Sequence, residues 1–186
     1  MNLLPDGKVR WPILNFNFMI EIRPYLRSDV ADLQRLANNA MIPHFTRDRF
    51  PHPYTMNDAE LWIEVNENAS PVLNFAIAVD GNFAGGIGLM PQYDINRFNA
   101  EVGYWLGEPY HGRGIMTAAL TLLIDHAFNK LTYVRLYANV FEHNAASMRV
   151  LEKAGFYKES IQRKAAYKNG NFIDEHVYAL LKPGIL

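Results

Sequence analysis

A strand that runs into a glycine-bracketed turn, and straight on into a helix, constrains this chain more than any other feature. The stretch reads Asn99-Ala-Glu-Val-Gly-Tyr-Trp-Leu-Gly-Glu-Pro-Tyr-His-Gly-Arg-Gly-Ile-Met-Thr-Ala-Ala-Leu120. Such a turn is an anion cradle. Its successive backbone N–H groups point inward, the first-turn amides of the helix have no intrahelical partner, and the helix dipole adds partial positive charge. A side chain at Gly112 or Gly114 would hold a phosphate off the main chain or block positive φ. Two other phosphate motifs fail on the letters. A P-loop needs Gly-x-x-x-x-Gly-Lys followed by Ser or Thr, and no such run occurs. A dinucleotide fingerprint needs a third glycine that His-Gly-Arg-Gly-Ile-Met-Thr lacks. Alone, Gly-x-Gly before a helix is also the pattern of an ordinary tight connection, so the flanking chain has to decide.

Downstream, Ile115–Asn129 reads as an amphipathic helix. Thr117, Thr121, Asp125 and Asn129 form a polar stripe beside Met116, Leu120, Leu123 and Ala127. Residues 133–140 alternate and are β-rich, so strand, helix and strand predict a parallel pair joined by a right-handed crossover. A short helix follows, with Asn144 as N-cap, Val150 and Leu151 on its buried side and Gly155 as its stop, and Phe156 opens another strand. Upstream, residues 18–23 read as a first strand, Ser28 as the cap of a helix to about residue 39, and Asn57 as the cap of a helix to about residue 66. Between these helices lies the least regular segment. Its aromatic residues Phe45, Phe50 and Tyr54 are candidate substrate contacts, because loops on a rigid scaffold carry binding groups. Residues 72–79 and 83–90 form a hairpin, Asp80-Gly81 supplying the positive φ values of a type I′ turn. No helix follows Gly85-Gly-Ile-Gly88, which points to close strand packing or a bulge rather than a nucleotide loop. Residues 172–181 make the last strand.

Several function classes drop out on composition. A formal net charge of -1 gives no electrostatic case for nucleic acid or an anionic membrane. Zero cysteines removes disulfides, thiolate catalysis and cysteine-based metal sites. The six histidines include no helical zinc spacing with an accompanying acid, so no metal is expected. No apolar run approaches the ~18 residues of a membrane span. Residues 1–19 lack the basic and apolar blocks of a signal peptide, which makes the cytoplasm the expected location. At 186 residues the chain is expected to be one domain.

The strand, His-Gly-Arg-Gly-Ile-Met, helix and strand are followed by Asn144-Ala-Ala-Ser-Met-Arg-Val-Leu-Glu-Lys-Ala-Gly-Phe156. Together these resemble the acetyl-CoA-binding core of the GNAT superfamily of N-acetyltransferases, and more narrowly its ribosomal-protein N-acetyltransferase (RimJ/RimL-like) branch. Pro53-Tyr54-Thr55, the Lys168-Asn-Gly170 turn and residues 174–181 fit that branch, and the resemblance covers about residues 18–181. It implies a mixed α/β fold: a central twisted, mostly antiparallel sheet with one parallel, splayed strand pair, flanked by helices. It also implies transfer of acetyl from acetyl-CoA to an amine without a covalent enzyme intermediate. Such an amine is largely protonated at pH 7 and needs a base. Glu101 matches the strand glutamate that serves as base in several members. Tyr104, Trp105 and Leu106 match the backbone that pairs with pantetheine. His111, Gly112, Arg113, Gly114, Ile115, Met116 and Thr117 match the pyrophosphate loop, and Asn144 would reach pantetheine as well as cap its helix. Without that chemistry, Glu101 reads as a structural acid paired with a cation such as Arg97 or Arg135.

The sequence departs from the superfamily pattern at three positions. His111 replaces the usual glutamine or arginine, and Met116 the usual small residue, yet neither change removes a backbone donor. Leu151 stands where many members carry the tyrosine that protonates the leaving thiolate. Ser147 matches the residue proposed for that role in the ribosomal-protein branch, and is otherwise a plain first-turn residue. The acceptor stays open among a protein N-terminus, an amino acid, a polyamine and an amino sugar. Leu151 also keeps open a different class of function, a catalytically weak acetyl-CoA-binding sensor or interaction module.

Overall fold

The computed structural model describes the backbone of Asn2–Leu3 and Val9–Arg10 and all of residues 18–185, so most of the stretch read for a signal peptide lies outside the described residues. The chain expected to be one domain divides into two compact units. The first comprises the described residues of Met1–Gly88 with Tyr104–Leu123, and the second those of Leu89–Gly103 with Ile124–Leu186.

In the first unit, strands β1 (Asn2–Leu3), β2 (Val9–Arg10), β3 (Ile20–Arg23), β4 (Asn74–Val79) and β5 (Asn82–Pro91) pair in that order, with antiparallel ladders from β1 through β5. The β4–β5 hairpin turns on Asp80 and Gly81 at φ 49° and 82°, the two positive values its Asp-Gly pair predicts. A bulge follows, since Ile77 faces Gly85 but Ala78 faces Phe83. The glycines of β5 are there for close approach. A Cβ built on Gly85 would lie 2.4 Å from the Trp105 carbonyl oxygen, and one on Gly88 2.2 Å from Asn74 Oδ1. Helices α1 (Val30–Ala37) and α2 (Met56–Glu67) contribute Leu33, Leu36, Ala59 and Ile63 to a core with Tyr25, Tyr54, Ala76 and Phe83.

The N-caps expected for α1 and α2 are corrected. Ser28 is exposed within a 3₁₀ turn, Arg27–Asp29, and α1 starts two residues later. The organising side chain there is Asp29, which accepts from Leu26 N at 2.9 Å and takes both Arg23 guanidinium nitrogens at 2.7 Å in a buried pair. Asn57 lies inside α2, whose cap is Thr55: its hydroxyl accepts from Asp58 N while the Asp58 carboxylate accepts from Thr55 N.

The second unit carries β6 (Asn99–Leu106) as far as Gly103, β7 (Arg135–Phe141), β8 (Tyr157–Lys168) and β9 (Asn171–Leu181), with β7 between β6 and β9 and β8 outermost. The expected parallel pair is β6 with β7. Pairing covers Asn99–Glu101 against Arg135–Tyr137 only, although both strands run on. The β8–β9 hairpin turns on Asn169 and Gly170 at φ 49° and 82°. Helix α3 (Ile115–Asn129) spans the division between the units, and α4 (Ala145–Lys153) buries Leu151 completely.

Candidate functional site

In the first unit β6 ends at Leu106, and the turn that follows is anchored outside itself. Gly107 N donates to the Ala84 carbonyl at 2.8 Å, Asn39 Nδ2 donates to Glu108 Oε2 at 2.7 Å, and Tyr110 packs on the core cluster. His111 Nε2 lies 2.8 Å from the Leu106 carbonyl oxygen. A carbonyl only accepts, so this nitrogen carries the proton. Gly112 and Gly114 then adopt φ 71° and 75°, and α3 opens at Ile115. A Cβ built on Gly112 meets nothing within 4 Å, so the space beside that residue is open. Residues 111–114 are exposed while Ile115 and Met116 are buried, so the latter two offer backbone rather than side chain. Exposed residues, left-handed glycines and the start of a 15-residue helix fit a diphosphate. Arg113 adds a guanidinium whose carbon lies 4.4 Å from the Phe18 ring centroid.

Tyr104, Trp105 and Leu106 are half-buried, and the Trp105 ring packs on Phe50 at 5.8 Å and Phe83 at 6.0 Å. The three aromatic candidates from the irregular segment separate in this unit. Tyr54 is 5% exposed, its amide donates to Asn38 Oδ1 and its carbonyl accepts from Gln34 Nε2, both at 3.0 Å. Burial, assisted by the nearby Asp58 carboxylate, pushes the Tyr54 hydroxyl up to about 12. Phe50 is half-buried, 5.3 Å from the Tyr54 ring. Phe45 alone of the three is exposed, at 41%.

In the second unit Glu101 is 8% exposed, and Asn139 Nδ2 donates to its Oε1 at 3.3 Å. Of the two arginines weighed as its partners, Arg135 pairs with Glu159 at 2.5 Å, and Arg97 donates to the Asp94 carbonyl at 3.0 Å and lies over Phe98. Asn139 was not singled out from sequence. It lies two residues beyond Tyr137, the register partner of Glu101, on the same face of β7, a placement set by the pairing of two strands distant in sequence. Asn144 caps α4 as expected, its Oδ1 accepting from Ser147 N at 3.1 Å. Ser147 is half-buried, and Leu151, one turn further on, is wholly in the core. Tyr178, 1% exposed, donates its hydroxyl to Glu152 Oε1 at 2.9 Å, and burial together with that bond holds it at about 12, so it stays protonated. Among the described residues no His, Asp and Glu side chains gather as a metal site, and no helix is long and apolar enough to cross a membrane.

Residues 20–157 match the family model described as "Acetyltransferase (GNAT) domain". Among curated proteins, the chain is 49% identical over 84 residues to a probable N-acetyltransferase, YjcK, of Bacillus subtilis, covering 45% of this chain and 46% of YjcK. It is 39% identical over 103 residues to the putative ribosomal N-acetyltransferase YdaF of the same organism, covering 55% of this chain and 56% of YdaF. The chain thus matches about half the length of these two relatives. A spermidine N(1)-acetyltransferase of Escherichia coli is 26% identical over 82% of this chain and 81% of its own length. Among solved structures, RimL, a ribosomal L7/L12 α-N-protein acetyltransferase in complex with coenzyme A, superposes with a TM-score of 0.76 at 24% identity, over 87% of this chain and 93% of RimL.

Proposed function

Because this chain belongs to the GNAT acetyltransferase family, we propose that it is an acetyl-CoA-dependent N-acetyltransferase, related to the ribosomal-protein branch, that acetylates a primary amine by direct attack. The observation that carries this reading is the left-handed backbone at Gly112 and Gly114, open beside Gly112, which leads into α3. Acetyl-CoA supplies an activated thioester, and the diphosphate beside it is what such a turn holds best. The protein N-terminus and small-molecule amines are the acceptor classes; the relatives named above differ among themselves on this point.

In this mechanism residues 111–117 hold the diphosphate, through the amides of 112–117 because the His111 amide donates to the Glu108 carbonyl at 3.1 Å, and Arg113 adds charge. The main chain at Tyr104, Trp105 and Leu106 holds the pantetheine arm and orients the thioester carbonyl, and Asn144 adds a polar contact to that arm. Glu101 accepts a proton from the acceptor ammonium, leaving the neutral amine to attack the thioester carbonyl. Its carboxylate is buried and held by the Asn139 amide, which limits the orientations from which it can accept. Ser147 donates a proton to the leaving thiolate. Phe45, Phe50 and Tyr54 line the acceptor side. The test is release of free thiol from acetyl-CoA across a panel of peptide N-termini, amino acids, polyamines and amino sugars. Amine-dependent release from at least one class is expected. Tight acetyl-CoA binding with no amine-dependent release would overturn catalysis and favour the sensor reading, which the burial of Leu151 at the usual tyrosine position supports.

A further inference from the structure

The cradle contains an anchoring problem that its own backbone does not solve. Arg113 sits between two glycines, the residues with the most conformational freedom to lose, and its side chain carries about 2 kcal/mol of rotamer entropy. An exposed guanidinium on such a turn would sample many orientations before meeting an anion. Two side-chain contacts reach out of the turn and limit this. On one flank His111 donates to the Leu106 carbonyl at 2.8 Å. On the other the Arg113 guanidinium carbon lies 4.4 Å from the centroid of the Phe18 ring.

The ring is on fixed ground. Phe18 is half-buried, and the next residue is tied reciprocally to the β4–β5 turn: Met19 N donates to Asp80 Oδ1 at 2.8 Å, and Asp80 N donates to the Met19 carbonyl at 2.9 Å. Ile20 then begins β3 and pairs with Val79. The aromatic face is thus presented by backbone locked to a neighbouring hairpin, while the cation it faces belongs to the glycine turn. A guanidinium stacked flat on a ring face would keep its N–H edge clear of the ring for an anion.

We propose that Phe18 is a positioning residue for the cosubstrate: it holds the Arg113 guanidinium over its ring so that the N–H edge is preset for a phosphoryl oxygen. This rests on the acetyl-CoA reading above. It assigns a role in that reading to a residue about half the chain away in sequence from the motif it serves. The contact adds nothing to the fold of the turn's backbone; it acts on affinity, through Arg113.

Calorimetric titration with CoA tests this on wild-type protein, Phe18→Leu, Phe18→Trp, Arg113→Ala and the double variant Phe18→Leu/Arg113→Ala. An exposed cation–π contact predicts about a 3-fold weaker Kd for Phe18→Leu, wild-type affinity for Phe18→Trp, and no further loss from Phe18→Leu once Arg113 is alanine. Dephospho-CoA as a second ligand separates the two phosphate sources: an unchanged Phe18→Leu deficit assigns the guanidinium to the diphosphate, and a vanished one to the ribose phosphate. Unchanged CoA affinity in Phe18→Leu, or an equal loss in the Arg113→Ala background, overturns the proposal. Wild-type protein that fails to bind CoA at all overturns the acetyl-CoA reading along with it. Melting curves for each variant identify any that fail to fold, and the Phe18→Trp arm then decides on its own, since loss of affinity in a folded tryptophan variant also contradicts the role.

Discussion

The glycine turn at residues 111–114 and the aromatic segment at residues 45–54 both belong to the first unit, and both were read from sequence as ligand-contacting, yet they are built on opposite principles. The turn presents backbone. Its binding groups are amides exposed by left-handed glycines, and such groups need only local geometry to be available. The segment would have to present side chains, and two of its three aromatics have been taken up by packing: Tyr54 is buried and Phe50 bridges Tyr54 and Trp105. A main-chain site survives the competition for hydrophobic burial, because burial recruits side chains. An aromatic side-chain site has to win that competition first.

The strongest way to break this contrast is a side chain on the turn itself. Gly114→Asp puts a carboxylate at a left-handed position where the amides should meet phosphate, and CoA affinity should fall by on the order of 100-fold or more while the melting curve stays close to wild type. Calorimetry and thermal melting on one sample check both halves. Next in size, Glu101→Gln should lower kcat near pH 7 by about 10²-fold with acetyl-CoA affinity barely moved. Its deficit should shrink toward pH 9–10, roughly where alkyl amines deprotonate in solution. A deficit constant across pH would make Glu101 a positioning residue instead.

The segment offers the reverse experiment. Phe50→Ala removes a ring packed on Tyr54 and Trp105 and should cost about 2 kcal/mol in chemical denaturation, whereas exposed Phe45→Ala should stay within about 0.5 kcal/mol and, if Phe45 meets acceptor, raise only the amine KM. Equal destabilisation by the two would erase the distinction drawn here. The smallest effect lies in the second unit. The Lys164 amide at 2.9 Å, with the Arg163 guanidinium beside it, holds the Asp174 carboxyl at about 2, below its usual 3.8. A depressed carboxyl stabilises the fold above its unfolded value and loses that contribution as pH falls through the folded one. Asp174→Asn should therefore lower Tm near neutrality, and the gap to wild type should close between about pH 4 and pH 2.

What was legible in the sequence follows the same division. The Asp80-Gly81 and Asn169-Gly170 turns, the Gly112 and Gly114 conformations and the Asn144 cap are local, and each stands where its residues put it. The cap of α2 was also local, since Thr55 and Asp58 spell the reciprocal box, but Asn57 competed for the same role on propensity alone. Ser28 was a different matter. Asp29 organises that helix start because Arg23, six residues back on β3, brings a buried guanidinium to it, and no local pattern announces that pairing. Asn139 beside Glu101 likewise depends on the register of two strands far apart in sequence. Phe45, Phe50 and Tyr54 were indistinguishable as letters and were separated only by which of them the core absorbed.

Whether the main chain of the turn receives the cosubstrate is read out by following backbone amide resonances as CoA is titrated into ¹⁵N-labelled protein. The largest shifts should fall on the amides of residues 112–117, with the amides of residues 45–54 moving little when no amine is present. Amides at 112–117 that stay still while another region saturates would contradict the claim and move the diphosphate elsewhere.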